Sequence, residues 1–200
     1  MNVVLVLLLV AVSLGGLVLV YLRKGFGGAF GKAPATTVAA APPGVGRFSG
    51  RAVAAGAVPV SEASGRSYLA RELAIVPSSD GSDGTHRFGQ AVDFLLDYGS
   101  GVALVRGAGG RVSVSRDFTA PVTTLDKAPW ADELLRSGGY HNGSPSTCRI
   151  RVYEGVIEDG SQVGVVGQAE EADDAARALG ATLVIRGTPS QPVMIRAERP

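Results

Sequence analysis

The side chains that could perform chemistry in this chain are one thiol, two imidazoles and scattered carboxylates. Cys148, His141 and either Asp117 or Asp126 supply a nucleophile, a base and an orienting carboxylate, the groups that a thiol hydrolase needs. Their spacing matches no known signature. His141 lies in the glycine-rich stretch 138–143, and Cys148 precedes an alternating run in which a cysteine usually serves as a small apolar residue. We therefore expect no catalytic residues, and a membrane-tethered thiol hydrolase using Cys148 and His141 is the alternative.

The same shortage of reactive side chains argues against a metal or cofactor site. The chain of 200 residues has one cysteine and two histidines, too few for a cysteine-rich zinc site. The Gly-Lys pair at 31–32 resembles the end of a phosphate-binding loop, but Phe26 and Ala33 stand where that loop needs Gly and Ser or Thr. The aspartates of residues 78–84 lack the spacing and the terminal glutamate of a calcium loop. We expect no cofactor and no metal.

An apolar run near the amino end is the strongest structural signal. Residues 3–21 form a stretch of nineteen residues without a charged side chain. As a helix the run covers roughly 28 Å, close to the hydrocarbon thickness of a bilayer. A cleaved export signal normally has a basic start and a shorter apolar core. We expect residues 1–24 to form an uncleaved transmembrane signal anchor, and an exported protein with a cleaved signal peptide is the alternative.

Flanking charge indicates the orientation of the anchor, and composition indicates a linker after it. Arg23, Lys24 and Lys32 follow the apolar run and no charged side chain precedes it, and basic flanks tend to remain in the cytoplasm. This pattern predicts a single-pass membrane protein whose C-terminal domain is cytoplasmic. Residues 25–46 are rich in Gly, Ala and Pro and poor in charge, which is typical of a flexible linker. Residues 47–200 then form the folded domain.

The charge of this domain bears on its partners. The whole chain has a formal charge of +1, and three basic side chains precede residue 47, so the domain carries −2. A nucleic-acid-binding surface normally needs a basic patch. A local patch is compatible with this net charge, but we expect no nucleic-acid partner. The expected partners are the membrane and another membrane or membrane-proximal protein.

Alternation of apolar and polar residues predicts many short strands in the domain. The predicted strands lie at 68–76, 92–96, 101–106, 111–115, 149–152, 162–167, 182–186 and 193–196. Residues 97–100 have hairpin-turn composition, and a second turn at 107–110 predicts a three-stranded meander over 92–115. Helices are predicted at 129–137, with Trp130 and Leu134 on the buried face, and at 169–179.

These elements predict a mainly β fold, a compact antiparallel barrel or sandwich with one or two short helices, preceded by the single transmembrane helix. Tyr98 with Phe94, and Trp130 with Tyr140, are candidate aromatic binding surfaces, but we expect these rings to fill the core. His86 is expected to be a solvated residue at the entry to a strand. A free sheet edge or the hairpin tip near Tyr98 is the expected place for a partner to bind.

Three blocks of the domain, in order behind an anchor, resemble the Beside-A-Membrane (BAM) domain of GIDE-type proteins. That family includes mitochondrial membrane E3 ubiquitin ligases. The blocks cover residues 50–72, 92–105 and 153–167. The residues in matching places are Phe94, Asp97, Gly101 and Val105 of the second block and Glu154, Gly160, Val163, Val165 and Gly167 of the third. The resemblance implies a membrane-attached β domain.

The sequence also departs from the family pattern. The ligases carry a second membrane helix and a zinc-binding RING, whereas this sequence has no second apolar run and one cysteine, and paired thiolates are required for such zinc sites. Ser67 stands where the family has a cysteine. The resemblance therefore implies a non-catalytic interaction or scaffold module at the membrane surface, without ubiquitin ligation.

Overall fold

A computed structural model describes residues 30–37, 44–77, 84–140, 147–188 and 190–198. The chain divides into two compact units, Met1–Pro34 and Ala35–Pro200. In the first unit, residues 30–32 are helical. The predicted anchor, residues 1–24, lies outside the described residues. Within the described ranges, no helix combines the length and apolarity that crossing a bilayer requires.

The described residues of the second unit are mainly β, as predicted, and the helices among them are short. Its strands are β1 Gly44–Ala54, β2 Ala70–Pro77, β3 His86–Ala91, β4 Phe94–Asp97, β5 Val102–Val105, β6 Arg111–Ser113, β7 Phe118–Thr119, β8 Thr123–Thr124, β9 Arg149–Ile157, β10 Gln162–Glu171, β11 Leu183–Arg186 and β12 Met194–Ala197. A 3-10 turn spans Leu125–Lys127, and the helices are α1 Pro129–Ser137 and α2 Asp174–Ala178.

Five strands close into a barrel in the order β1-β4-β5-β11-β10, and β10 returns to β1. Closure is possible because β1 is long. Its stretch from Gly44 to Arg51 pairs with β10, and its stretch from Arg51 to Ala54 pairs with β4. The barrel interior is apolar, and Phe48, Phe94 and Ile185 are almost fully buried there. Beyond the barrel, β12 and β6 extend the sheet from β10.

The second sheet has the order β3-β2-β9-β7, with β8 also paired to β9. One of its faces packs on α1 and the 3-10 turn in a separate apolar cluster that includes Leu73, Ile150 and Leu135. Helix α1 begins with a proline and ends at Ser137. The amide of the next residue, Gly138, donates to the carbonyl of Leu134 at 3.0 Å. The predicted bounds of α1 are therefore confirmed.

Two topological expectations were wrong. The hairpin β4–β5 is present, but β6 pairs with β12 and β5 pairs with β11, so residues 92–115 do not form a meander. After β5 the chain turns away from the β4–β5 hairpin. Strand β6 then pairs with β12, which is itself paired with the long strand β10. The β5–β11 and β6–β12 pairings are both parallel, so the barrel is not purely antiparallel.

Two local expectations also need correction. Residues 169–171 complete β10, and the helix predicted at 169–179 is reduced to α2. Residues 169–171 form a strand and not a helix because Ala169 lies in the barrel core, where it pairs with both β1 and β11. In α1 the buried residues are Ala131 and Leu135, while Trp130 and Leu134 are only partly buried.

The start of the folded unit lies earlier in the chain than residue 47. Strand β1 begins at Gly44, and Ala35 forms a parallel bridge with Arg47. The amide of Thr36 donates to the carbonyl oxygen of Arg47 at 2.9 Å. The segment predicted as linker thus contributes backbone pairing to the domain.

Candidate functional site

Among the described residues of the hydrolase alternative, Cys148 is buried and both candidate aspartates are exposed. Cys148 is 5 % exposed and belongs to the apolar cluster under α1. Asp117 is exposed and forms an ion pair with Arg66 at 3.0 Å. Asp126 is exposed on the 3-10 turn, which is joined to the Cys148 segment by a backbone hydrogen bond. His141 lies outside the described residues.

A shallow cleft of about 400 Å³ lies at the tip of the β4–β5 hairpin, the predicted place for a partner. Its lining includes Arg51, Tyr98 and Gln162. Asp97 accepts a hydrogen bond from the amide of Gly99 at 2.8 Å and one from Arg51 at 3.3 Å. These two contacts, the amide first, hold the pKa of Asp97 below its usual value. The cleft therefore presents a partly buried tyrosine beside a neutralised pair of charges.

A larger groove of about 800 Å³ runs between β12 and the segment that follows β6. Ser113, Ser115, Asp117, Arg196 and Glu198 contribute its polar groups. Glu198 accepts a hydrogen bond from the Ser49 hydroxyl at 3.1 Å. The groove is thus polar and open, with acidic, basic and hydroxyl groups along its walls.

The aromatic residues divide between core and surface. Phe94 is fully buried in the barrel, and Tyr98 is partly buried against the same core. Trp130, on α1, is partly buried and packs against the apolar cluster under that helix. Tyr140 is 44 % exposed, and its ring lies 4.4 Å from the ring of His86. The expectation of core filling is therefore confirmed for Phe94 and wrong for Tyr140, because Tyr140 follows the end of α1 and caps the surface of β3.

The most unusual side chains of the described part are three buried polar residues. The sequence patterns predict a site role for none of them, although Glu154 is one of the positions that match the BAM domain. Ser61, Arg71 and Glu154 are 1 %, 3 % and 0 % exposed. The Ser61 hydroxyl donates to Glu154 Oε1 at 2.5 Å, and Arg71 Nη1 lies 3.7 Å from the same oxygen. Arg71 also donates to Gln90 at 2.6 Å and to Glu62 at 2.9 Å. We call Ser61, Arg71 and Glu154, together with the more exposed Gln90 and Glu62 at their rim, the buried polar cluster.

Strand register explains how the buried polar cluster assembles. Arg71 on β2 is directly opposite Gln90 on β3, and Leu73 two residues later is opposite Glu154 on β9. Residues opposite each other, and residues two apart, project to the same side of a sheet. Ser61 comes from the loop between β1 and β2 and covers this side. The cluster therefore fixes that loop to three strands.

Burial and charge set the protonation of the groups at the rim of the buried polar cluster. Desolvation raises the pKa of Glu62, but hydrogen bonds from its own amide and from Arg71 outweigh it, so the net pKa is lowered. Burial raises the pKa of Tyr68, whose ring lies 4.5 Å from the Arg71 guanidinium carbon. Buried ionised groups require partners. Gln90 and Glu62 accept hydrogen bonds from the Arg71 guanidinium, and the Ser61 hydroxyl donates to Glu154.

The residues that carry the family resemblance have structural positions. Val105, Val163 and Val165 lie in the barrel core. Gly160 has a φ of +85°, which favours glycine. A Cβ on Gly167 would lie 2.8 Å from Ile185 Cγ2 and 2.9 Å from the carbonyl oxygen of Arg186. These matching positions therefore serve folding, with apolar packing and close backbone approach as the physical reasons.

Comparison of the chain with protein-family models, with curated proteins and with solved structures returned no match.

Proposed function

We propose that this chain is a single-pass membrane protein whose β domain acts as a non-catalytic interaction or scaffold module, similar to the BAM domain of GIDE-type proteins. The observation that carries the proposal is the run at residues 3–21, nineteen residues without a charged side chain, because such a run is long enough to span a bilayer as a helix. Arg23 and Lys24 directly after it favour a cytoplasmic domain.

The packing of the nucleophilic side chains supports a non-catalytic role. Cys148 is 5 % exposed among apolar residues, a site typical of a cysteine that serves as a small apolar residue. The Ser61 hydroxyl is 1 % exposed and bonded to Glu154. The open clefts are instead lined by paired charges, hydroxyls and the ring of Tyr98, which are groups suited to contacts with another protein.

Alkaline extraction of membranes tests the anchor. The intact chain should remain in the membrane pellet, and its mass should include residues 1–24. A matched variant with Leu9→Arg and Val12→Arg should shift to the supernatant, since each charge near a membrane-helix centre costs about 3 kcal/mol. A mature chain found in the soluble fraction without its first residues would support the exported alternative and contradict the proposal.

Site-specific photocrosslinking in native membranes tests the interaction role. A crosslinker at Tyr98, on the hairpin cleft, should capture a discrete protein, whereas one at Leu179, exposed near α2 on another part of the barrel, should not. Cys148→Ser should leave the crosslinked product unchanged. Complete loss of the cellular phenotype in Cys148→Ser, with the fold intact by circular dichroism, would favour the thiol hydrolase.

A further inference from the structure

We propose that one exposed face of the second sheet binds the anionic headgroups of the bilayer in which the chain is anchored. This inference rests on the membrane attachment proposed above and adds the surface and the class of lipid that it contacts. Three exposed arginines carry it: Arg87 on β3, and Arg149 and Arg151 on β9. We call this surface the arginine face.

Strand register places the three arginines on one side of the sheet. Ala74 of β2 is opposite Arg87 on one side and opposite Tyr153 on the other, so all three project to the same face. Arg151 and Arg149 precede Tyr153 at two-residue steps and share that face. Strand spacing of about 4.8 Å and a rise of about 3.4 Å per residue place β3 about 10 Å from β9 and the two β9 arginines about 7 Å apart.

Exposure varies along the arginine face. Arg87, Arg149 and Arg151 are exposed, whereas Ala74 on the strand between them is 0 % exposed, and the other end of the sheet is covered by the barrel. There, Ala70 and Ile157 contribute to the barrel core. Next to them, a Cβ on Gly89 would lie 3.3 Å from the amide nitrogen of Val112, and Ser115 lies against Gly155. The barrel therefore covers the end of the sheet that contains Ala70 and Ile157, and the three arginines lie toward the opposite end.

Charge on the arginine face is unbalanced. Within the described ranges none of its three arginines forms an ion pair, whereas the exposed Arg136 and Arg177 elsewhere are paired with aspartates at 2.9 Å. Glu72 lies on the same side of the sheet, but at the covered end, where it is 3.9 Å from Arg116. Among the described residues, the face therefore carries three arginines without an ion-pair partner, on a domain whose net charge is −2.

Anionic lipid is the polyanion that this surface fits best. The proposed anchor keeps the domain within reach of a bilayer, so headgroups are the most concentrated anions available to it. Each basic side chain close to an anionic surface shifts binding roughly fivefold, so three shift it roughly a hundredfold. The half-buried Tyr153 adds a ring with a polar tip, which suits a membrane interface.

The test uses the full chain reconstituted into phosphatidylcholine vesicles with or without phosphatidylserine. The variant carries Cys148→Ser and Thr119→Cys. Residue 119 is opposite Tyr153 on the arginine face, and a fluorophore is attached to the new cysteine. Lipids with spin-labelled headgroups quench its fluorescence when the face is close to the bilayer. We expect stronger quenching with phosphatidylserine and its loss in high salt. The same fluorophore at Ala175→Cys on α2 should show no dependence on phosphatidylserine.

Substitution separates this face from general charge effects. The triple variant Arg87→Gln, Arg149→Gln, Arg151→Gln should lower the ratio of lipid-bound to unbound domain, measured by quenching, roughly a hundredfold. Gln at Arg136, Arg177 and Arg186 removes the same charge from sites that are more than half exposed and should leave quenching unchanged. All six substitutions lie on the surface, and circular dichroism checks that both variants fold.

The outcomes distinguish the two proposals. Equal quenching in both lipid mixtures, in a chain that resists alkaline extraction, would overturn the lipid assignment and leave the anchor supported. Salt-sensitive crosslinking of the arginine face to an acidic protein, without any lipid effect, would overturn it in favour of a protein partner. Release of the chain by alkaline extraction would overturn both proposals.

Discussion

Removing the buried guanidinium of Arg71 should destabilise the domain more than any surface substitution. Arg71→Met keeps most of the side-chain volume but leaves Glu154, which is 0 % exposed, without the cation 3.7 Å from its Oε1. It also removes the donor to Gln90. Breaking one side of a buried ion pair costs about 3–5 kcal/mol, which is a large part of the stability of an ordinary domain.

Urea unfolding of the full chain in detergent measures this loss. Trp130 is the single tryptophan and packs against the apolar cluster under α1, beside the second sheet, so its fluorescence reports this region. For a domain of this size the expected loss corresponds to a melting temperature lower by about 6–20 °C. The double variant Arg71→Met, Glu154→Gln should recover part of the loss, with a coupling energy of about 1 kcal/mol or more.

Arg177→Met is the matched control, because the same substitution removes an exposed pair with Asp174. Such surface pairs contribute less than about 1 kcal/mol. If Arg71→Met costs no more than this control, or if the double variant shows no coupling, the guanidinium does not stabilise Glu154 and the reasoning fails.

Three further predictions address packing, pH and the thiol. Gly167→Ala should lower the free energy of unfolding by about 1–3 kcal/mol, because its Cβ would meet Ile185 and the Arg186 carbonyl; an unchanged urea midpoint would contradict the close approach. The lowered pKa of Asp97 adds stability that is present above the unfolded value of about 4 and is lost as the pH falls through the folded pKa; Asp97→Asn should flatten this acid dependence in a pH series of melts, and an identical slope would refute it. Cys148 should react with a thiol reagent in the folded chain only as fast as the domain unfolds, since it is 5 % exposed; rapid reaction without urea would favour the hydrolase.

Local features of the fold could be predicted from the sequence because local chemistry determines them. The turn after Asp97 contains Gly99, whose φ is +81° and whose amide binds the Asp97 carboxylate. In α1 a proline begins the helix, and two glycines follow its last residue, of which Gly139 has a φ of +72°. Strand alternation similarly located most strands. The partner of each strand was not accessible in this way, because β6 and β12 are far apart in sequence and an alternating pattern does not specify its neighbour.

The buried polar cluster and the arginine face were missed for the same physical reason. Ser61, Arg71 and Glu154 are ordinary polar residues of a loop and two strands, and only pairing of β2 with β9 brings them together. That same pairing places Arg149 and Arg151 on the opposite face of the sheet, since successive residues of a strand point to opposite sides. One register therefore determines both the buried guanidinium and the exposed ones. A shift of this register by one residue would exchange the faces, placing Arg149 and Arg151 on the side that packs under α1 and Glu154 on the side where Tyr153 now lies. The buried polar cluster, which binds the β1–β2 loop to this register, thus stabilises the arrangement on which the proposed lipid-binding surface depends.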